Sequence, residues 1–307
     1  MTNLASAIGQ AFILPNHERV CESARVSAPA TSLPPLKKLD RRAAGLPHLT
    51  ALGSDFQLVT PFQRLLGPGL PLLSLLMFGV SYGFGYYALL PVILLMHFIV
   101  AVRFTHDLLH GTAGVSPRTT EWGLFAMSLL LLESAHAFRA GHLHHHSHCL
   151  GEDDFEGAPA HVSLFAALAA GPLYIPQYWL HAYRLGKNPV QKRWMRVELL
   201  AAIGLVLCAI AVLPWSAGPL CYFVGVWLGS WFYPITTAWL PHFKPNNAVL
   251  GQARTVRGKI IPALLCNLSY HLEHHLYPQV PSYNLARLAE QLDPHFARMG
   301  VQVPRVV

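Results

Sequence analysis

The sequence has few charged residues and places none of them in two long segments. Asp, Glu, Lys and Arg make up only 12% of its 307 residues, whereas a soluble domain usually carries about 25%. Residues 66–102 and 202–243 contain none of these four residue types. Each segment is long enough for two passes of about 20 residues through a hydrocarbon layer of about 30 Å. The scarcity of charge therefore excludes an ordinary soluble domain and predicts an integral membrane protein.

Cysteine is also scarce, and its positions exclude two common uses. The five cysteines are scattered, and no two of them form a C-x-x-C pair. This pattern argues against a disulfide framework and against a zinc ribbon. Cys149 lies next to a histidine cluster, so it is interpreted either as a small apolar residue or as a redox-sensitive bystander. The sequence also lacks a cysteine set for an iron–sulfur cluster and a glycine-rich dinucleotide loop. Any electrons that its chemistry requires are therefore predicted to come from a separate protein.

The positions of apolar and basic residues predict the topology. Each uncharged segment is interpreted as a helical hairpin, the first turning within residues 81–87 and the second within residues 214–219. Basic residues flank both hairpins, which by the positive-inside rule places the flanks in the cytoplasm. The net charge of +7 is therefore attributed to topology, and no nucleic-acid partner is expected. The predicted fold is an all-α integral membrane protein with about four transmembrane helices in two hairpins and a cytoplasmic, histidine-rich helical cap.

The chain is divided into two parts on the same grounds. Residues 1–65 are interpreted as a Pro-rich cytoplasmic N-terminal extension, and residues 66–307 as the membrane domain. Within the latter, residues 282–294 have leucines at helical spacing. This spacing predicts an amphipathic helix that begins near Ser282 and is stopped by Pro294. The expected location is a bacterial inner membrane, with both termini and the active site on the cytoplasmic side.

Histidine, in contrast, is abundant. Many of the 18 histidines fall in three clusters: HDLLH at 106–110, HLHHH at 142–146 and HLEHH at 271–275. Residues three and four apart share one face of a helix, so each cluster can present two or three imidazoles to one place. The clusters also lie on one side of the predicted hairpins, and we expect eight imidazoles to converge there. These candidate metal ligands are His106, His110, His142, His145, His146, His271, His274 and His275.

Eight imidazoles are more than one metal ion can hold, which predicts two ions. Imidazole binds zinc, copper, iron and nickel, but catalytic zinc sites typically use only three protein ligands. The number of ligands therefore favours two iron ions, as Fe2+ or Fe3+. A zinc-protease motif is excluded, because H-E-x-x-H needs a glutamate where this sequence has Asp107.

On these motifs the sequence resembles the membrane fatty acid desaturase superfamily, whose signature is H-x(3–4)-H, then H-x-x-H-H twice. The resemblance covers about residues 66–290 and implies four spanning helices beneath a cytoplasmic di-iron cap. It also implies a ninth ligand near the end of the fourth span, for which His242 in the run WLPH at 239–242 is the candidate. His144 departs from the usual pattern of the second box and forms an H-x-x-x-H pair with His148.

The resemblance implies O2-dependent oxidation of a lipid C–H bond, with O2 as co-substrate and a ferredoxin or similar carrier as electron donor. Fatty acid (acyl-lipid) desaturation is the leading hypothesis. Carotenoid ketolation or hydroxylation is the alternative, because the runs at 142–157 and 239–242 resemble carotenoid ketolases. A histidine-rich metal transporter is a remote third, since the two uncharged segments hold no ionisable residue except His97. Acids expected to orient the ligands are Asp107, Asp153, Asp154 and Glu273.

Overall fold

The computed structural model describes residues 41–42, 44–246, 250–301, 303 and 305–306. Over these residues the chain is mostly helical and contains almost no strand, which confirms the predicted all-α class. Strands β1 (Arg257–Gly258) and β2 (Arg305–Val306) form a parallel pair. The α-helices are α1 (Leu49–Leu52), α2 (Pro61–Gly83), α3 (Leu90–Leu109), α4 (Pro117–Leu131), α5 (Ala135–His148), α6 (Leu164–Leu185), α7 (Pro189–Val212), α8 (Gly218–Ser230), α9 (Ile260–Leu264), α10 (His271–Leu276) and α11 (Leu285–Arg298).

Helices α2 and α3 form the first predicted hairpin. A capping box starts α2, since the Thr60 side chain accepts from the Gln63 backbone N–H and the Gln63 side chain accepts from the Thr60 backbone N–H. The turn between the helices uses Gly85 at φ +77°, a left-handed conformation that glycine adopts without steric cost, followed by a 3-10 turn at Tyr87–Leu89. The predicted position of this turn is confirmed.

Within the described part of the chain, three helical segments are long and apolar enough to cross a membrane, namely Pro61–Gly83, Tyr87–Leu109 and Pro189–Val212. Their outward side chains are largely exposed, as in Leu76 (62%) and Leu200 (68%). An exposed aliphatic surface of this kind is unfavourable in water and favourable in contact with lipid. These segments therefore define the membrane-embedded part of the protein.

The fourth predicted span differs from expectation. The sequence predicts a single helix over about residues 220–240, but α8 ends at Ser230 and a π-helix follows at Pro234–Trp239. The 13 residues of α8 cover only about 20 Å at 1.5 Å per residue. Helix α6 packs directly against the break, because a Cβ on Gly171 would lie 2.2 Å from the Trp231 carbonyl oxygen. Whether this segment spans the membrane stays a prediction.

Two buried clusters position the histidine segments. One joins α3, α4, α5 and α6, with Tyr233 from the segment after α8. The other joins α10 and α11 to Leu46, Leu49 and Phe56, so the described end of the predicted extension packs against the C-terminal helices. Residues 1–40 lie outside the described residues, and the boundary at residue 65 stays a prediction.

The C-terminal amphipathic helix begins as predicted but ends later. A 3-10 turn at Ser282–Asn284 leads into α11, which continues to Arg298. The predicted stop at Pro294 is wrong. Proline removes one backbone hydrogen bond, but Phe296 is only 1% exposed and its ring lies beneath the Arg257 guanidinium. Burial of this side chain holds the last turn in the helix.

Candidate metal centre

Each histidine box is carried on or beside a helix end. His106 lies in the last turn of α3, and His110 is the C-cap of that helix. The second box occupies the C-terminal half of α5, whose first turn is capped by Ser134. The third box forms the short helix α10, which starts at His271. Because these ends meet, the i, i+3 and i, i+4 spacings turn the rings toward a common centre.

The first of two groups of imidazoles combines all three boxes. Nitrogen atoms of four rings lie within 4.8 Å of one another, those of His106, His110, His142 and His274. His146 joins them, because its Nε2 lies 2.8 Å from Nε2 of His274 and 3.1 Å from Nε2 of His142. This group of five rings is called the proximal group below.

The second group lies against the first and includes His242, three residues after the end of the π-helix. Ligand atoms of His145, His242, His275 and Cys149 lie within 4.8 Å of one another. His271 joins them, because its Nε2 is 2.9 Å from Nε2 of His242 and 2.9 Å from Nε2 of His275. We call the four imidazoles of this set the distal group. The structure thus brings together all nine histidines proposed as ligands, while their ligand role stays a prediction.

Carboxylate and carbonyl oxygens fix the orientation of three of these rings. Nδ1 of His142 donates to Glu156, and Nδ1 of His145 donates to Asp154, each over 2.7 Å. Nδ1 of His242 donates to the Gln252 carbonyl oxygen over 2.7 Å. A neutral imidazole with its proton on Nδ1 carries a lone pair on Nε2. The three Nε2 atoms that face the cage are therefore electron donors.

The donor set fits metal ions. Pairs of Nε2 atoms approach to 2.8–3.1 Å across both groups, and two facing lone pairs repel unless a cation lies between them. Nε2 of His110 and Nε2 of His145 are buried without a hydrogen-bond partner among the described residues.

Burial keeps most of the cage uncharged. Burial, reinforced by neighbouring histidines, lowers the pKa of six rings well below the ordinary value for histidine. For a seventh ring, that of His242, burial is the main cause that lowers the pKa to about 3. Neutral imidazole is the form that binds metal. The six rings are those of His110, His142, His146, His271, His274 and His275.

His145 is the exception in the cage. Burial acts to lower the pKa of His145, but its hydrogen bond with Asp154 and the charge of Glu156 outweigh burial and raise it. Burial also raises the pKa of Glu156 to about 7. Cys149 lies beside His145 and His242. Burial raises the pKa of its thiol, which keeps the thiol protonated. The distal group therefore contains a ring whose pKa is raised rather than lowered.

One predicted orienting acid contacts a proposed ligand, and a second acid was missed. Asp154 holds His145 and accepts backbone N–H groups of Leu150 and Gly157. Glu156 was not singled out, although it holds His142 and accepts a 2.6 Å hydrogen bond from the Tyr178 hydroxyl. The acidic run after the second box was the available signal, since two of its acids contact proposed ligands on α5.

Two other predicted acids form structural ion pairs instead. Asp107 accepts from Arg103 Nη1 at 3.1 Å and from Ser282 N and Oγ at 2.9 and 2.7 Å. It thereby ties α3 to the loop before α11. Glu273 accepts from Arg257 Nε at 3.0 Å and Nη2 at 2.5 Å. Each fixes the backbone of a histidine box without contacting an imidazole, so each positions a box as a whole.

Asp153, the last of the four acids, lies outside the cage. Its Oδ2 is 3.0 Å from Nε2 of His144, and its side chain is 58% exposed. His144 points away from the other histidines of its box, as its spacing predicts. These two residues therefore belong to the outer surface of α5.

A cavity of about 70 Å³ opens on the cage. Its walls combine rings from both groups with apolar and hydroxyl side chains from α3, the π-helix and the C-terminal region. A hydrocarbon in this cavity would lie against the imidazoles. The lining residues are Val102, His106, Phe138, His142, Glu156, Thr236, Thr237, Pro241, Leu268, His271, His274 and Leu285.

The fold and site together define a helical, membrane-embedded protein with an imidazole cage suited to metal. Residues 84–305 match the fatty acid desaturase family, and the chain belongs to that family. It is also 27% identical over 210 residues to the sphingolipid delta(4)-desaturase/C4-monooxygenase DES2 of Mus musculus, a match covering 62% of this chain and 60% of that protein. The chain thus spans about 60% of the length of this relative. Its family and its three apolar helices identify it as an integral membrane protein.

Proposed function

We propose that this chain is a di-iron, O2-dependent lipid desaturase. The observation that carries this proposal is the convergence of Nε2 atoms in two adjacent groups, two of these atoms, those of His110 and His145, being buried without a partner among the described residues. Imidazole-only sites with more than four donors suit iron better than zinc. The proposed ligands are His106, His110, His142, His146 and His274 for one ion, and His145, His242, His271 and His275 for the other.

When bound, the two ions would supply O2 activation and removal of hydrogen from an unreactive C–H bond. The chain's own residues hold the donors ready for this chemistry. Asp154 and Glu156 keep the protons of His145 and His142 on Nδ1, which directs the lone pairs inward and makes the rings more basic. Phe138 and Leu268, which line the cavity, exclude water from the space where a substrate carbon would lie.

The proposed substrate is the acyl chain of a membrane lipid. The cavity is lined by apolar side chains beside the imidazoles, and the spanning helices expose aliphatic surface from which a lipid can enter. The mouse relative is named as a sphingolipid desaturase and monooxygenase, which supports a lipid chain as the substrate class. Desaturation and oxygen insertion share a metal site, so the position in which the substrate carbon is held decides between them.

The proposed setting is a bacterial inner membrane with the cage on the cytoplasmic side. Basic residues such as Lys192 and Arg193 at the start of α7 support this orientation through the positive-inside rule. Electrons would come from a separate carrier such as ferredoxin. A basic face suits an acidic partner of that kind.

Metal analysis tests the cage. The full chain, purified in detergent after expression with iron, should carry about two irons and consume O2 when a ferredoxin and its reductase are supplied. Zinc as the sole metal, with no O2 consumption after iron reconstitution, would contradict the proposal.

Product analysis tests the substrate. The chain should be expressed in a host that makes both β-carotene and ordinary membrane lipids, beside a His275→Ala variant as the inactive control. New double bonds in acyl chains, present only with the unaltered chain, are the expected result. Oxidised carotenoids with unchanged acyl chains would overturn the acyl-lipid assignment in favour of a carotenoid oxygenase.

A further inference from the structure

The outer face of α5 carries a cluster that the cage does not use. His144 and His148 are four residues apart on this helix, and their rings stack with centroids 4.0 Å apart and an interplanar angle of 16°. Asp153 reaches them from the following loop. One donor atom from each of these three side chains lies within 4.8 Å of the other two. We call this set the outer triad.

One donor of the outer triad, Nε2 of His148, is oriented outward. Nδ1 of His148 contacts Ser147 Oγ at 2.8 Å and the His144 carbonyl oxygen at 3.2 Å. With its proton directed to these oxygens, His148 presents the Nε2 lone pair to the surface. The arrangement matches the way metal-bound histidines are usually held by a backbone carbonyl.

The contact between His144 and Asp153 has the arrangement of two ligands that bind one cation. Nε2 of His144 lies 3.0 Å from Asp153 Oδ2, yet the two atoms are not aligned as a hydrogen bond, and Nε2 is buried without a hydrogen-bond partner among the described residues. Two donor atoms that converge without sharing a proton are satisfied by a cation between them. His148 and Asp153 are exposed, so an ion can enter from water.

We propose that His144, His148 and Asp153 form a third metal site, which takes a borderline divalent cation such as Zn2+. Two imidazoles and one carboxylate are a common zinc donor set, with water in the fourth position. Hard ions such as Mg2+ and Ca2+ prefer oxygen ligands and would bind weakly here. The site includes none of the nine cage histidines, so it is independent of the proposed function.

An ion at this site would also brace the cage. Asp153 precedes Asp154, whose carboxylate holds Nδ1 of His145. Joining Asp153 to the end of α5 restrains the loop that carries this orienting acid. The expected consequence is slower loss of metal from the distal group.

Metal stoichiometry tests the site directly. The full chain, loaded with iron and then exposed to Zn2+, is freed of excess metal by gel filtration, and both metals are measured by mass spectrometry. About one Zn2+ should bind while the iron content stays unchanged. His148→Ala should abolish this binding, and Asp153→Asn should weaken it at least about tenfold. His161→Ala, which removes an exposed histidine outside the outer triad, should bind Zn2+ like the unaltered chain.

Three results would overturn the site: Zn2+ that binds only as iron is lost, Zn2+ retained by both His148→Ala and Asp153→Asn, or no Zn2+ bound. In a protein that holds no iron, the cage itself can take Zn2+, so the outer triad is then tested by the Zn2+ content of His148→Ala relative to His161→Ala, which should differ by about one ion per chain. The bracing role has its own measurement, the rate of iron loss to a chelator. Zn2+ should slow this rate at least about twofold in the unaltered chain and leave His148→Ala unaffected; an equal rate with and without Zn2+ overturns the brace.

Discussion

His136 and His145 lie on the same helix and are both fully buried, yet their surroundings differ in kind. Nδ1 of His136 is 2.5 Å from Glu198 and its Nε2 is 3.0 Å from Glu121, so carboxylates meet both nitrogens. Only Nδ1 of His145 meets a carboxylate, that of Asp154, and its Nε2 faces other imidazoles. A ring whose two nitrogens both meet carboxylates has no nitrogen left to face a metal ion, whereas a ring held on one side has its other nitrogen available.

The two surroundings also suit different tasks. His136 joins α4, α5 and α7 through its acids, and Trp194 stacks on its ring at 5.0 Å and 3°. It acts as a polar tie within the fold. The cage rings are instead mutually repulsive without a cation. We therefore expect His136 to have a structural role and His145 to be a ligand, although both rings are equally buried.

The largest effect is expected from removing a cage ring. His145→Ala should lower the iron content from about two to about one or fewer per chain and abolish product formation, because a distal ligand is lost. His136→Ala is the matched control on the same helix and should keep its iron. Metal analysis of both variants gives the answer, and equal iron loss from the two would remove the distinction between them.

A smaller loss is expected from removing the charge that orients a ring. Asp154→Asn and Glu156→Gln should each weaken metal binding about 10–100-fold, the usual cost of altering a hydrogen-bond partner of a ligand. Glu152→Gln, which changes an exposed neighbour, is the control. Iron retention against a graded series of chelator concentrations measures the effect. Retention matching that of the control would show that these acids do not tune the cage.

The structural histidine should affect stability rather than metal content. His136→Ala leaves the buried Glu198 carboxylate without its partner, which typically costs about 3–5 kcal/mol. A lower apparent melting temperature in detergent is expected. Adding Glu198→Gln to this variant should recover part of the loss, since no buried charge then remains. A variant that melts like the unaltered chain would contradict the assignment of His136 as a tie.

Glu133 extends the comparison to an acid without a histidine. Its Oε1 is buried without a partner among the described residues, and burial raises the pKa of Glu133 to about 8. The unfolded chain ionises this group at its ordinary, lower pKa, so folding loses stability as pH rises from the ordinary pKa of 4.5 toward 8. Glu133→Gln should therefore raise the apparent melting temperature at pH 8 and change it little at pH 5. A gain of equal size at both pH values would show that ionisation is not the cause.

Much of the architecture could be predicted because it depends on short segments of the sequence. Runs without charge marked the three apolar helices, and glycine marked the first turn. The nine cage histidines were all identified from spacing and family resemblance, and the structure gathers them together. The break after Ser230 and the helix through Pro294 escaped prediction, because each depends on packing against α6 or on burial of Phe296 rather than on local preference.

The partners of the rings escaped prediction for the same reason. Glu156 was not distinguished from its acidic neighbours, since only the path of the loop decides which carboxylate reaches His142. Asp107 was predicted to orient His106, but its carboxylate instead accepts hydrogen bonds from Ser282, 175 residues away. Sequence separation of this size carries no local signal.

By itself, the sequence determined which faces of which helices carry imidazole, because the 3.6-residue period of a helix is a local property. It also determined which segments avoid water, through their lack of charge. Only the tertiary structure decided which ring nitrogen keeps its proton and which presents a lone pair. For His142, His145 and His242, that choice depends on the oxygen atom that tertiary packing places against Nδ1.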